Sequence, residues 1–138
     1  MFAAGRFTRA YDGEQIGVPT KMHGTTRAEQ RDGAWLIELR GEHDLATAPT
    51  VAEHLEHARS LALPVVIDLT AVEFIDSSIV AAVARTLAAR DGQPSVAVVA
   101  PTGQPRGRLL LLGLDGHLPV YDNRRAALVA LGLTRPMV

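Results

Sequence analysis

Hydroxyl and carboxylate side chains stand together where an apolar segment passes into a helical pattern. Asp76 and Ser77 follow Phe74 and Ile75, and Ser78 precedes the periodic apolar residues of the next segment. A helix beginning here would direct free amides and the positive end of its dipole toward these side chains. The arrangement could accept an anion, including a phosphate on Ser77. Asp or Ser in this position also serves as a plain helix cap, so both interpretations stay open.

Two histidines form a second group that could do chemistry. The pairs Glu53-His54 and Glu56-His57 place them three positions apart on a predicted helix. This spacing suits metal ligands on one side of a helix. The sequence offers no third ligand nearby and no cysteine at all. It therefore favours a solvated helix face, and we expect neither a metal nor another cofactor.

Composition narrows the classes of function. With 138 residues and 47% hydrophobic residues, the chain suits one domain with a substantial core. A formal net charge of −1 gives no basic surface for a nucleic acid backbone. No apolar run approaches the roughly 18 residues of a membrane helix, and the first residues do not resemble a signal peptide. We expect a cytoplasmic protein that neither binds nucleic acid nor inserts into a membrane.

Hydrophobic periodicity predicts alternating strands and helices after an N-terminal extension at residues 1–24, which lacks a sustained period. The dipeptide Asp32-Gly33 predicts a hairpin turn. Residues 25–138 then form an α/β domain in the order β-β-α-β-α-β-α-β-α, with helices packed on a mixed sheet. The predicted elements are strands 25–31 and 34–40, a helix after Thr47, strand 64–69, a helix from Asp76 to near Asp91, strand 95–99, helix 106–112, strand 118–121 and helix 123–131.

Three ordered motifs carry a resemblance to a known family. GEHDLATA at 41–48, DLTAVEFIDSS at 68–78 and GLDGHLPVY at 113–121 resemble the STAS domain of bacterial anti-sigma factor antagonists. The resemblance extends over about residues 25–132. It implies a STAS-like fold and a non-enzymatic regulator of transcription that binds an anti-sigma factor of the serine kinase type. It also implies release when that kinase phosphorylates the serine directly after the aspartate, which is Ser77 here.

The resemblance also indicates a partner-binding surface around Ser77. One departure bears on it, because Ile79 stands where the family has glycine, and an outward isoleucine would obstruct a kinase. Asp44 either contacts the partner or only stabilises its turn. The predicted partner-binding residues are Asp44, Asp76, Ser78, Ile79, Ala81, Ala82 and Arg85.

Two other classes of function compete with the phosphorylated switch. A STAS scaffold or transporter-associated protein would bind its partner constitutively, which Ile79 would permit. An enzyme or a phospho-acceptor receiver domain would need a nucleophile turn around Ser77 or a late lysine. No G-x-S-x-G surrounds Ser77, and Lys21 is the single lysine. We therefore favour binding over catalysis, and the oligomeric state, a homodimer included, stays open.

Overall fold

The order of strands and helices follows the sequence-based prediction. The computed structural model describes residues 24–88, 96–111 and 120–136, where the chain forms a mixed sheet of five strands with four helices packed on it. The elements are β1 (Thr25–Arg31), β2 (Ala34–His43), α1 (Ala48–Arg59), β3 (Val65–Ile75), α2 (Ser77–Ala88), β4 (Val96–Val99), α3 (Gly103–Leu111), β5 (Val120–Tyr121) and α4 (Arg124–Ala130). The predicted α/β fold is confirmed.

A tight hairpin opens the fold. Strands β1 and β2 pair antiparallel, from Thr25 opposite Arg40 to Arg31 opposite Ala34. The φ angles of Asp32 and Gly33 are 55° and 84°. Two central residues with positive φ are typical of the type I′ turn, whose twist matches that of the paired strands. The predicted hairpin is confirmed.

The remaining strands run parallel, in the sheet order β1-β2-β3-β4-β5. Strands β2 and β3 end at His43 and Ile75, beyond the predicted ends at residues 40 and 69. Their pairing continues through two register shifts, and Gly41 has a φ of 85°. Such bulges interrupt the alternation of buried and exposed residues, so the sequence pattern ends before the strand does. The predicted turn after β2 is correspondingly shorter, and Asp76 directly follows a strand.

Helices cover both faces of the sheet. On one face, apolar residues of α1, α2 and α3 pack against alternate residues of β2, β3 and β4, and Ile37, Ile67 and Val98 lie at the centre of this core. On the other face, Ala127 of α4 packs against a smaller core that includes Leu36 and Val66. Successive residues of a central strand face opposite sides of the sheet, so a strand that is buried on both sides contributes apolar residues to both cores. Both surfaces of β3 are thereby covered along its first half.

Two helix starts depart from prediction, α1 in its capping and α3 in its position. Thr47 occupies the N-cap position of α1, but its side chain makes no capping hydrogen bond. Helix α3 begins at Gly103 instead of residue 106, and the buried Pro105 lies in its first turn, which tolerates proline. Asn123 does cap α4, since its Oδ1 accepts from the Ala126 amide at 2.8 Å.

Several predictions fall outside the described residues. These are the end of the second helix near Asp91, the start of the predicted strand 118–121, and the predicted extension at residues 1–24 except for Gly24. Among the helices of the described ranges, none is long and apolar enough to cross a membrane.

Candidate functional site

Two turns meet at the edge of the sheet where β2 and β3 end. The Asp76 amide, at the start of α2, donates to the carbonyl oxygen of His43 at 3.2 Å. His43 is the last residue of β2, and the turn that leads into α1 follows it directly. The chain thus brings the predicted site residues Asp44 and Asp76 to the same edge, as expected for the carboxyl ends of parallel strands.

Asp76 is the cap of α2. Its Oδ1 accepts hydrogen bonds from the Ser78 amide at 2.9 Å, the Ser78 hydroxyl, and the Ile79 amide at 3.4 Å. This geometry satisfies amides that a helix leaves unpaired at its start. The capping interpretation is therefore correct. It also means that two of the amides expected to receive an anion already bind this carboxylate.

Ser77 is the first residue of α2 and is exposed. Its hydroxyl makes no hydrogen bond to any other residue in the described ranges. Ile79 points inward, with 0% of its surface exposed, and packs in the larger core. The isoleucine that replaces the family glycine therefore does not obstruct access to Ser77.

A strip of α2 extends from Ser77 across the surface. Ala81 is half-buried and Arg85 is exposed, and the spacing of four residues places both on the side of Ser77. Beside this strip, a groove of about 450 Å³ between α1 and α2 has Arg59 and Arg85 among its lining residues. Ala82 is only 4% exposed. Direct contact by a partner with the side chains of Ile79 and Ala82 does not agree with their burial, whereas Ser78, Ala81 and Arg85 lie where a partner could reach them.

The turn between β2 and α1 is held by hydrogen bonds among its own residues. Asp44 Oδ1 accepts from the Ala46 amide at 2.9 Å, and the Asp44 carbonyl accepts from the amides of Thr47 and Ala48 at 3.0 and 2.9 Å. Asp44 therefore does stabilise its turn. At the tip, Leu45 is 72% exposed. The sequence analysis missed Leu45, although a leucine inside a turn is a signal that could have indicated it.

His43 fixes this turn from inside. Its Nε2–H donates to the carbonyl oxygens of Arg40 and Thr25 at 3.0 and 3.2 Å. Its Nδ1 is hydrogen-bonded at 3.0 Å to the Thr47 hydroxyl, which also donates to the Asp44 carbonyl oxygen at 3.2 Å. Burial lowers the pKa of His43, although its backbone hydrogen bonds and Asp44 oppose this shift. A neutral imidazole matches these three contacts. Since both ring nitrogens are occupied, His43 is not available as a base for the exposed Ser77.

One histidine of the pair on α1 differs from prediction. His54 is buried rather than solvated, and its Nε2 has no hydrogen-bond partner among the residues that the structure describes. Burial, and secondarily the nearby His57, lowers the pKa of His54 to about 4. His57 is exposed and packs edge-on against Trp35, with ring centroids 5.5 Å apart. No group of three or more metal-binding side chains occurs in the described ranges.

Comparison with known proteins agrees with this architecture. The family model for the STAS domain matches residues 25–127. A solved anti-sigma factor antagonist from Mycobacterium paratuberculosis is 32% identical, with a TM-score of 0.75 over 79% of this chain and 94% of that chain. No match was found among curated proteins.

More distant structures are similar in fold alone. The phosphorylated form of the Bacillus cell fate determinant SpoIIAA has a TM-score of 0.57 at 18% identity, covering 78% of this chain and 99% of that one. A sulfate transporter family protein from Wolinella succinogenes has a TM-score of 0.60 at 17% identity, covering 71% and 84%.

Proposed function

Because the chain belongs to the STAS domain family, we propose that it is an anti-sigma factor antagonist whose binding is switched by phosphorylation of Ser77. The observation that carries this proposal is that the Ser77 hydroxyl is exposed at the start of α2, beside residues that hydrogen bonds hold in place. The Asp76 amide is hydrogen-bonded to the last residue of β2, and the Asp76 side chain caps the helix. Ser77 is accessible while its backbone is already positioned, which is the geometry a modifying enzyme needs.

A phosphate on Ser77 leaves the fold intact. Within the described ranges the Ser77 side chain has no hydrogen bond to lose, and the added group would extend into solvent. The phosphate brings about −1.5 to −2 charges. Because Asp76 Oδ1 already accepts from the amides of Ser78 and Ile79, these charges would add to an existing carboxylate at the start of α2.

The same charge is costly in a complex. A partner that covers Ser77 and Ala81 would have to remove water from the phosphate beside the Asp76 carboxylate. An unpaired buried charge or a like-charge contact costs several kcal/mol. This loss is enough to convert tight binding into weak binding, so phosphorylation releases the partner.

The partner is an anti-sigma factor of the serine kinase type, which would both bind this surface and modify it. Leu45 provides an apolar anchor at one end, since it is exposed on a turn that its own hydrogen bonds keep rigid. Because the backbone of this turn is already ordered, binding would cost only the rotamer freedom of the side chain. Arg85 supplies a positive charge at the other end. The chain acts by binding, and catalysis belongs to the partner.

Titration with purified anti-sigma factors of the serine kinase type from the source organism tests the proposal. Unmodified protein and Ser77→Ala should bind one of them with similar affinity. Ser77→Asp and the phosphorylated protein should bind at least about tenfold more weakly while they unfold at nearly the same temperature. Ser60→Asp is the matched control, because Ser60 is exposed at the far end of α1. Equal affinity for all of these proteins would favour a constitutive STAS binding protein instead.

A further inference from the structure

The last part of β3 extends beyond its neighbour on one side. Strand β4 pairs with β3 only from Val65 to Asp68, whereas β3 continues to Ile75. On the opposite side, β2 pairs with β3 as far as Ile75. In the described ranges, the end of β3 that leads to Asp76 thus has a strand partner on one side alone.

The side chain of Gln104, in the first turn of α3, takes the place of the missing strand. The Ile75 amide donates to Gln104 Oε1 at 2.9 Å, and Gln104 Nε2 donates to the Ile75 carbonyl oxygen at 2.9 Å. A glutamine amide has one acceptor and two donors, so it can serve both backbone groups of one residue at once. The two residues are 29 positions apart in the sequence.

The contacts of the residues that follow Gln104 hold the start of α3 in place. Arg106, two residues later, donates to the Ala100 carbonyl oxygen at 2.8 Å and pairs with Asp122 at 2.9 Å. Pro105 between them is buried. These contacts anchor the start of α3 to the ends of β4 and β5, so Gln104 restrains β3 instead of following its movement.

We propose that Gln104 is a positioning residue, which holds Ile75 so that Asp76 and Ser77 keep the arrangement that a partner and a kinase recognise. Ile75 directly precedes Asp76, whose amide is bound to His43 on the opposite side. The start of α2 is therefore restrained from two sides, by a backbone carbonyl of β2 and by a side chain of α3. This inference rests on the proposed function of Ser77 and adds a residue outside its surface.

Amide hydrogen exchange tests the restraint without any partner. In Gln104→Met, which keeps the side-chain length but loses both hydrogen bonds, the amides of Ser78 and Ile79 should exchange about tenfold faster or more. Gln104→Glu keeps one acceptor but turns a carboxylate oxygen toward the Ile75 carbonyl oxygen at neutral pH, so these amides should exchange faster in this variant too. Gln30→Met is the matched control, because Gln30 is exposed on β1. Unchanged exchange at Ser78 and Ile79 in both Gln104 variants would overturn the proposal.

Binding and phosphorylation separate positioning from stability. At a temperature where all variants are folded, Gln104→Met should lower the affinity for the anti-sigma factor that binds the unmodified protein, and kcat/KM for Ser77 phosphorylation, by about tenfold. Ile37→Val, a core change that lowers stability by a comparable amount, should alter neither quantity. Equal losses in Gln104→Met and Ile37→Val would overturn the positioning role. If the unmodified protein binds no anti-sigma factor, the proposed function fails, and the exchange experiment alone decides whether Gln104 holds the turn.

Discussion

Two aspartates of this chain have the same local geometry and different surroundings. Asp68 Oδ1 accepts from the amide and hydroxyl of Thr70, as Asp76 Oδ1 does from the amide and hydroxyl of Ser78. Both amide distances are 2.9 Å. Asp68 is buried, whereas Asp76 is half-buried. The Asp-x-Thr and Asp-x-Ser motifs therefore fix local turns but do not decide what each carboxylate does.

The difference lies in the second oxygen. Asp68 Oδ2 accepts from Arg124 Nε and Nη2 at 3.0 and 2.7 Å, and Arg124 also reaches Glu38 at 3.2 Å. Asp76 has no ion pair in the described ranges. A buried carboxylate requires a compensating charge, while a half-exposed one at a helix start can remain unpaired. This comparison identifies Asp68 as part of the structure, whereas Asp76 is the carboxylate that a phosphate or partner would meet under the proposed function.

Removing Arg124 should have the largest effect on stability, because this side chain supplies the charge that compensates the buried Asp68 carboxylate. Arg124→Met leaves the Asp68 carboxylate buried and unpaired, and we expect a loss of about 2–3 kcal/mol in the free energy of unfolding. Urea denaturation measures this loss. Arg125→Met is the control, since Arg125 is exposed one position later. Similar stability of the two variants would show that Asp68 does not depend on its cation.

Acidification should have the next largest effect on stability, through the buried His54, which has no ion pair in the described part of the chain. The folded pKa of His54 is about 4, below its usual 6.5, so the unfolded chain binds more protons between these values. Stability should therefore fall as the pH drops from 6.5 toward 4, by about 1–2 kcal/mol after allowance for solvent screening. His54→Gln should reduce this pH dependence more than His57→Gln does. An unchanged dependence in His54→Gln would assign the effect to other groups.

Replacing Asp76 should cost less than replacing Arg124. Asp76→Ala removes the cap of α2 and should lower the free energy of unfolding by about 1 kcal/mol. Asp76→Asn should be closer to the unmodified protein, because its amide oxygen can still accept from Ser78. An unaltered denaturation midpoint in Asp76→Ala would mean that another group caps the helix.

Removing residues 1–23 should have the smallest effect. Both aspartates and all of the contacts compared above lie in the chain that begins at Gly24. A truncated protein that keeps Gly24, whose α-carbon lies against the His43 ring, should unfold cooperatively at a similar denaturant concentration. Loss of cooperative unfolding would place residues 1–23 within the domain.

Short-range signals predicted most of the fold. The Asp32-Gly33 turn and the apolar pattern around it gave the hairpin because turn chemistry acts within a few residues. Strands β2 and β3 were predicted too short because Gly41 and the register shifts interrupt their alternation. His54 was predicted as solvated because a polar residue type is not expected in the buried stripe of a helix.

The candidate site was only partly accessible from sequence. Local spacing and the family resemblance predicted Asp76 and Ser77 as site residues. They left open whether the Ile79 side chain points into the core or into solvent. The pairing of Gln104 with Ile75 depends on α3 reaching a strand 29 positions earlier in the chain. No local pattern marks such a contact. Tertiary structure likewise decides that Arg124 pairs with Asp68 and not with Asp76.

Mapping the phosphate tests the central proposal most directly. The unmodified protein and Ser77→Ala would each be incubated with ATP and the anti-sigma factor that binds the unmodified protein, followed by intact-mass measurement and peptide mapping. We predict one phosphate on the unmodified protein, located on Ser77, and none on Ser77→Ala. Phosphate on Ser78 or another residue, or its absence from a protein that binds this kinase, would contradict the proposal.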